Sequence, residues 1–230
     1  MDWKPIKTAV LIPAFNSAAT IGRVVSGALA YSDTVLVVDD GSADATAAQA
    51  ATAGAQVLRH QTNQGKGAAL RDGMRLLAEQ QFERVVTMDA DGQHLADQIP
   101  VLLQASDADV EALVVGVRQV DPTLVTPLRG FGNRFANRWV EIACGQALPD
   151  TQSGFRLYPL RATLALGTRA RRFAFETEVL IRATRAAMTI RSVPVKTFYP
   201  PVSERVSHYR PVVDTLRIIC VVVGLILRLW

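Results

Sequence analysis

Short apolar, β-branched runs recur through the first half of the chain with Ala- and Leu-rich stretches of helical spacing between them, and this alternation restricts the fold more than any other feature. Thr8 to Ile12, Thr34 to Val38, Gln56 to Arg59, Arg84 to Met88 and Ala112 to Val117 read as strands. Ala18 to Tyr31, Asp44 to Ala53 and Ala68 to Gln80 read as helices, with Ser42 and Asp44 as candidate caps for the second. Strands this apolar need cover on both faces, which predicts an α/β fold with a mostly parallel central sheet flanked by helices.

At 230 residues and 49% hydrophobic content the chain supports one substantial core. Cys144 and Cys220 are too few for a disulfide framework and lack metal-ligand spacing, so buried or incidental thiols in a reducing compartment are expected. Asp2, Lys4 and Lys7 precede only a short apolar run ending at Pro13, unlike a signal peptide. Residues 1–149 carry 12 Lys/Arg against 16 Asp/Glu, whereas residues 150–230 carry 13 against 5. The basic half also holds the apolar C-terminus, a combination suited to an anionic membrane face. Aromatics are few and not interleaved with the basic residues, and no nucleic-acid motif is present, which argues against nucleic acid as the partner.

Ligands of such sheets gather at the carboxyl ends of the strands. Those ends read Pro13-Ala14-Phe15-Asn16, Asp39-Asp40-Gly41-Ser42, Asn63-Gln64-Gly65-Lys66-Gly67 and Asp89-Ala90-Asp91-Gly92-Gln93. Each alone has a bland explanation as a turn; together they crowd acids and glycines onto one rim. Asp89 and Asp91, one residue apart after Val85-Val86-Thr87-Met88, suit a divalent cation on a diphosphate, because neighbouring carboxylates need a neutralising charge. An acidic turn capping the helix suggested by Pro100, Leu102 and Leu103 explains the same spacing equally well.

After residue 117 the alternation weakens. Arg118, Arg129, Arg134 and Arg138 are followed by Asp150-Thr151-Gln152-Ser153-Gly154-Phe155-Arg156, and then by Phe173-Ala174-Phe175-Glu176-Thr177-Glu178 leading into a helix. Ile190 to Phe198 alternates like a strand, and Pro194 predicts an edge position. Residues 199–211, rich in Pro and Arg, read as a lid or binding loop.

These segments, in this order over about residues 8 to 205, resemble the family 2 glycosyltransferases, most closely the branch of polyprenyl (dolichyl) phosphate mannose and glucose synthases. The resemblance implies a GT-A fold and inverting transfer of a hexose from a nucleoside diphosphate sugar. By resemblance, Pro13, Phe15, Asn16, Asp39, Asp40, Lys66, Asp89 and Ala90 would line the nucleotide-sugar site. Asp89, Asp91 and Gln93 would hold Mg²⁺ or Mn²⁺, and Arg118, Arg129 and Arg205 would bind the acceptor phosphate. By the same resemblance Asp91, Arg118 and Arg129 would count among the catalytic residues. Asp150 joins them as the general base used with hydroxyl acceptors; a phosphate acceptor needs none, and Asp150 would then orient Arg156 or its loop. Turn-forming acids remain the alternative for Asp39 and Asp40, and solvated surface charge for Arg118 and Arg129. Glu176 and Glu178 in Phe-Glu-Thr-Glu resemble an acidic motif of the family at a helix start, and favourable charge at a helix N-terminus explains them equally well.

Gln64-Gly65-Lys66-Gly67 lacks the first glycine and the hydroxyl residue of a P-loop, and His94 has no histidine near it at ligand spacing. The sequence departs from the synthase pattern at Ser17, Ala45, Gly92 and the loop 199–211, which bears on nucleotide and acceptor preference. Residues 1–210 are assigned to the transferase domain and 211–230 to a C-terminal helix. Its apolar run Ile218 to Leu227 is too short to span a bilayer, so the helix lies on a membrane surface or packs on the protein. The family reading and this helix together place the enzyme in the cytoplasm, peripheral on the inner membrane face. Transfer to a hydroxyl acceptor, and a basic domain without catalysis, are the competing readings.

Overall fold

The computed structural model describes residues 6–119, 139–198, 219–225 and 227. Seven strands among these residues, β1 (Thr8–Ala14), β2 (Val35–Asp39), β3 (Gln56–Arg59), β4 (Arg84–Thr87), β5 (Leu113–Arg118), β6 (Arg156–Pro159) and β7 (Ile190–Val195), form one sheet in the order β3-β2-β1-β4-β6-β5-β7. β6 runs antiparallel to β4 and to β5, and every other neighbouring pair is parallel. The sheet is flanked by α1 (Ala18–Leu29), α2 (Thr46–Thr52), α3 (Lys66–Glu79), α4 (Ile99–Ala105), α5 (Leu160–Ala165) and α6 (Ala174–Arg185).

Alternation of side chains along each strand divides the apolar residues between two cores. On one face Val10 and Ile12 of β1 and Val37 of β2 pack with Ile21, Val24 and Val25 of α1 and with Ile99 and Leu102 of α4. On the other, Leu11 and Val38 meet Leu70, Met74 and Leu77 of α3 and Phe175 and Val179 of α6. A fully buried aliphatic side chain contributes about 1.5–3 kcal/mol, so covering both faces is what makes the all-buried β2 run Val-Leu-Val-Val-Asp stable as a strand. Close approach is needed where α3 crosses β1. A Cβ on Gly73 would stand 2.5 Å from Leu11 Cδ1.

The predicted strands and helices are present with boundaries shifted by a few residues, and β7 lies at the sheet edge as Pro194 requires. β6 was not expected. Its four residues begin with Arg and end with Pro, and carry no alternation of their own; pairing on both sides makes them a strand. Arg156 is fully buried, its guanidinium donating to the carbonyls of Ser153 (2.8 Å), Thr151 (2.8 Å) and Glu176 (2.9 Å). It thereby fixes the segment before β6 against the first turn of α6. The cap expected from Ser42 is corrected, because its hydroxyl accepts from the Asn16 N–H instead. Asp44 does serve the helix start, accepting the Thr46 N–H at 3.0 Å.

Residues 219–225 are helical, with Val221, Val222 and Leu225 in the same core as α6 and Arg185 Nη2 donating to the Leu225 carbonyl at 2.9 Å. The outward side shows Val223 and, just beyond, Leu227 at 59% exposure. The rest of the segment 211–230 and the loop 199–211 lie outside the described residues. No helix among the described residues is long and apolar enough to cross a membrane.

Replacing Arg156 by Leu would remove the buried guanidinium that donates to the carbonyls of Thr151, Ser153 and Glu176. We expect a loss of roughly 3 kcal/mol or more, read as a lower urea midpoint at constant slope; an unchanged midpoint would refute this role.

Candidate active site

The parallel strands deliver their carboxyl ends, and the antiparallel β6 its amino end, to one rim. The first two rim loops are stapled together: Asn16 adopts a left-handed φ of 48°, its N–H donates to Ser42 Oγ at 2.8 Å, and its Oδ1 accepts the Ala43 N–H at 2.9 Å. Pro13 and Phe15 stand half-buried beside this staple. At the Ser17 departure, the Ser17 N–H donates to Thr46 Oγ1 at 2.7 Å, tying β1's exit to α2.

Asp39 is fully buried at the end of β2, its Oδ1 accepting the Ser42 N–H at 3.0 Å. Its Oδ2 lies 3.2 Å from Arg59 Nε, yet has no hydrogen-bond partner of good geometry among the described residues. A buried carboxylate oxygen left in this way is a ready acceptor for a donor entering from the rim. Asp40 is engaged differently. Its carboxylate accepts the Gln64 and Gly65 N–H groups at 2.9 and 2.7 Å and meets His60 Nδ1 at 2.7 Å, so it holds the loop that starts α3. Gly65 in that loop has φ of 94°, and a Cβ there would stand 2.5 Å from the Arg171 carbonyl.

Lys66 is the first residue of α3, and its ammonium lies 2.5 Å from Asp89 Oδ1 and 2.8 Å from Glu176 Oε1. Gly154 forms the wall beside them, where a Cβ would be 2.7 Å from Lys66 Nζ and 2.9 Å from both Asp89 oxygens. Burial alone would lower the Lys66 pKa, but the charges of Asp89 and Glu176 raise it above the ordinary lysine value. Burial likewise works to raise Asp89, yet the Lys66 charge holds it down to about 2. Asp91 is pushed up to about 6, first by burial and then by the Asp89 charge. Two carboxylates opposed in this way fit a divalent cation, which takes one or two carboxylates together with phosphate oxygens and waters.

The helix-cap alternative for Asp89 and Asp91 does not hold. The 3-10 turn Ala96–Gln98 and α4 begin beyond them without side-chain caps, while Asp91 Oδ1 accepts the Gln93 N–H at 2.9 Å in a local turn. Buried Ala90 offers its carbonyl to Thr20 Oγ1 at 2.6 Å, which anchors that turn to α1. His94, stacked on Phe155, accepts the Asp89 N–H at Nδ1 (3.0 Å) and is lowered by burial to about 4, so it supports Asp89 as a neutral ring.

Arg118, ending β5, grips Asp150 through Nε (2.7 Å to Oδ2) and Nη2 (2.9 Å to Oδ1). Burial favours a raised Asp150 pKa, but these hydrogen bonds from Arg118 hold it below the usual carboxylate value. Of the two orienting roles expected for Asp150, toward Arg156 or toward its loop, the first is corrected: its carboxylate is bound by Arg118, and Arg156 donates to carbonyls. Arg129 and Arg205 lie outside the described residues.

Residues 9–163 match the sequence profile described as glycosyl transferase family 2. The chain belongs to that family. Similar proteins include an undecaprenyl-phosphate mannosyltransferase of Micrococcus luteus, 32% identical over 210 residues and covering 83% of this chain and 83% of that one. A UDP-N-acetylglucosamine–dolichyl-phosphate N-acetylglucosaminyltransferase of Methanococcus voltae is 30% identical over 213 residues, covering 83% and 85%. Among solved structures, glucosyl-3-phosphoglycerate synthase from Mycobacterium tuberculosis, in complex with Mn²⁺, UDP and glucosyl-3-phosphoglycerate, aligns with a TM-score of 0.76 at 21% identity, covering 96% of this chain and 80% of that one. The fold is GT-A, and the chain is a glycosyltransferase using a nucleotide sugar; the reading without catalysis does not stand.

In this glycosyltransferase the rim gathers Asn16, Asp39, Asp40, Lys66, Asp89, Asp91, Arg118 and Asp150 as the sequence suggested. Glu176 and Gly154 join them at the Lys66–Asp89 pair. Glu176 carries two equal readings in the sequence, a family acidic motif and helix-terminal charge; the structure buries it two residues into α6 against the Lys66 ammonium. Gly154 is part of a motif in the sequence; its role is the absence of a side chain, which a single sequence does not reveal. Glu178 is structural, accepting the Arg169 and Ala170 N–H groups at 2.8 and 2.7 Å and pairing with Arg182.

Replacing Asp40 by Ala would release the Gln64–Gly65 loop. We expect a loss of roughly 2–4 kcal/mol, measured by urea unfolding, with weakened nucleoside diphosphate binding in the fraction that folds.

Proposed function

We propose that this enzyme is an inverting, metal-dependent transferase that moves a hexose from a nucleoside diphosphate to a polyprenyl phosphate-like lipid at the cytoplasmic membrane face. The observation that carries the acceptor class is the Arg118–Asp150 pair. Asp150 is committed to a guanidinium fork and held acidic, which disfavours a general base and suits an acceptor that arrives already anionic. The relatives named for undecaprenyl and dolichyl phosphate support the same class.

In this reading Asp39 receives the nucleoside, and Asp89, Asp91 and Gln93 hold Mg²⁺ or Mn²⁺. That cation supplies positive charge for the departing diphosphate. Lys66 adds a second, fixed charge on the same side, preorganised by its buried partners. Arg118, partly exposed beside the rim, contributes its positive charge to the acceptor phosphate, whose oxygen attacks the anomeric carbon opposite the leaving group. A new C–O bond forms as the old one breaks, its electron pair leaving on the nucleoside diphosphate, and the anomeric configuration inverts. Arg129 and Arg205 would complete the acceptor site. Exposed Trp139 and Ile142, and Val223 and Leu227 in the basic half, offer apolar side chains suited to a lipid surface; residues 211–230 would form the associating helix.

The test is a panel of nucleoside diphosphate sugars with Mg²⁺ or Mn²⁺, following nucleoside diphosphate release with and without polyprenyl phosphate. Stimulation by the lipid is expected; equal release with a simple hydroxyl acceptor would overturn the acceptor class. Replacing Asp91 by Asn should abolish metal-dependent turnover. Replacing Asp150 by Asn should raise KM for the acceptor while kcat stays within about tenfold of wild type, whereas loss of a true base would cost roughly 10²–10⁴ in rate.

A further inference from the structure

The Lys66 ammonium is held between two carboxylates that belong to different parts of the site. Asp89 is partly open to the rim, at 31% side-chain exposure, and Glu176 is buried, at 5%. Glu176 Oε2 has no hydrogen-bond partner among the described residues. A buried carboxylate satisfied by a single ammonium stabilises a fold poorly compared with apolar packing, so its presence asks for a purpose. Geometry suggests one. A divalent ion on either oxygen of Asp89 would lie within a few ångströms of Lys66 Nζ, and like charges at that range repel strongly in a partly buried site. Gly154 packs against the Lys66–Asp89 pair, and Glu176 Oε1 meets the same ammonium at 2.8 Å.

We propose that Lys66 is a resident counter-ion of Asp89 that opposes metal binding until a diphosphate arrives, and that Glu176 is the positioning residue that retains Lys66 when the metal takes Asp89. The inference rests on the metal–diphosphate reading above and adds a consequence for binding. Metal alone displaces an ammonium from its partner and binds weakly. Metal together with a nucleoside diphosphate brings enough negative charge to keep both cations, so the two ligands bind synergistically. Glu176 makes the displacement tolerable because the ammonium keeps one anion throughout.

Mn²⁺ binding, followed by electron paramagnetic resonance of the free ion and by calorimetry, with and without UDP or GDP, tests this on the whole chain. Wild type is expected to bind Mn²⁺ weakly alone and more tightly with nucleotide. Lys66→Met should tighten Mn²⁺ binding in the absence of nucleotide by about tenfold or more, and shrink the gain from nucleotide, because Asp89 is freed of its competitor. Lys66→Arg, which keeps the charge, should retain weak binding. Glu176→Gln should move the other way, weakening Mn²⁺ binding, and should have little effect in the Lys66→Met background. Opposite signs from the two substitutions are what a merely structural role does not produce.

Weaker or unchanged Mn²⁺ binding by folded Lys66→Met would overturn the counter-ion role. Equal weakening by Glu176→Gln in both backgrounds would show Glu176 to be a ligand and overturn its positioning role. If Lys66→Met fails to fold, the Glu176→Gln arm still decides, since unaltered Mn²⁺ binding there contradicts the proposal. Absence of any Mn²⁺ binding by wild type with either nucleotide would instead remove the metal–diphosphate reading on which the proposal stands.

Discussion

The ammonium of Lys66 between Asp89 and Glu176 is the contact on which the site depends. It joins the start of α3, the end of β4 and the first turn of α6, three elements that the sheet brings to one rim from far apart in the chain. Neither carboxylate would be comfortable there alone. Asp89 has the like charge of Asp91 beside it, and Glu176 is buried with one oxygen unpartnered. One cation serves both, and this sets Asp89 and Asp91 at different acidities within a single turn.

Around that contact the other acids divide into those that build the site and those left with capacity to bind. Asp40 is consumed by backbone N–H groups and His60, and Asp150 by Arg118; both shape the surroundings. Asp39 keeps a buried oxygen without a good hydrogen bond. Acid-rich turns of this kind look uniform in a sequence, yet burial and partner choice separate them by function. Arg156 makes the same point among the cations: it is fully buried and tied to carbonyls, whereas Arg118 is partly exposed beside the rim.

The antiparallel β6 explains how a segment some sixty residues beyond Asp89 in sequence reaches it. Inserted antiparallel between β4 and β5, it points its amino end at the rim where those two strands end, and so brings Gly154 against Lys66 and Asp89. A short strand bounded by Arg and Pro has little local signal. Its existence is a property of the two strands that flank it.

What the sequence by itself determined follows from local and periodic chemistry: apolar runs that must be covered on both faces, helices between them, Pro194 at an edge, and acids and glycines collected where parallel strands end. The order of the motifs was enough to identify the family. Tertiary structure alone decided which charges meet. The pairing of Lys66 with both Asp89 and Glu176, the choice of Arg118 rather than Arg156 by Asp150, and the closeness of Gly154 to Asp89 all span long sequence separations. The physical reason is that a charge's partner is set by distance and burial in the folded chain, and neither is written in the residues near it.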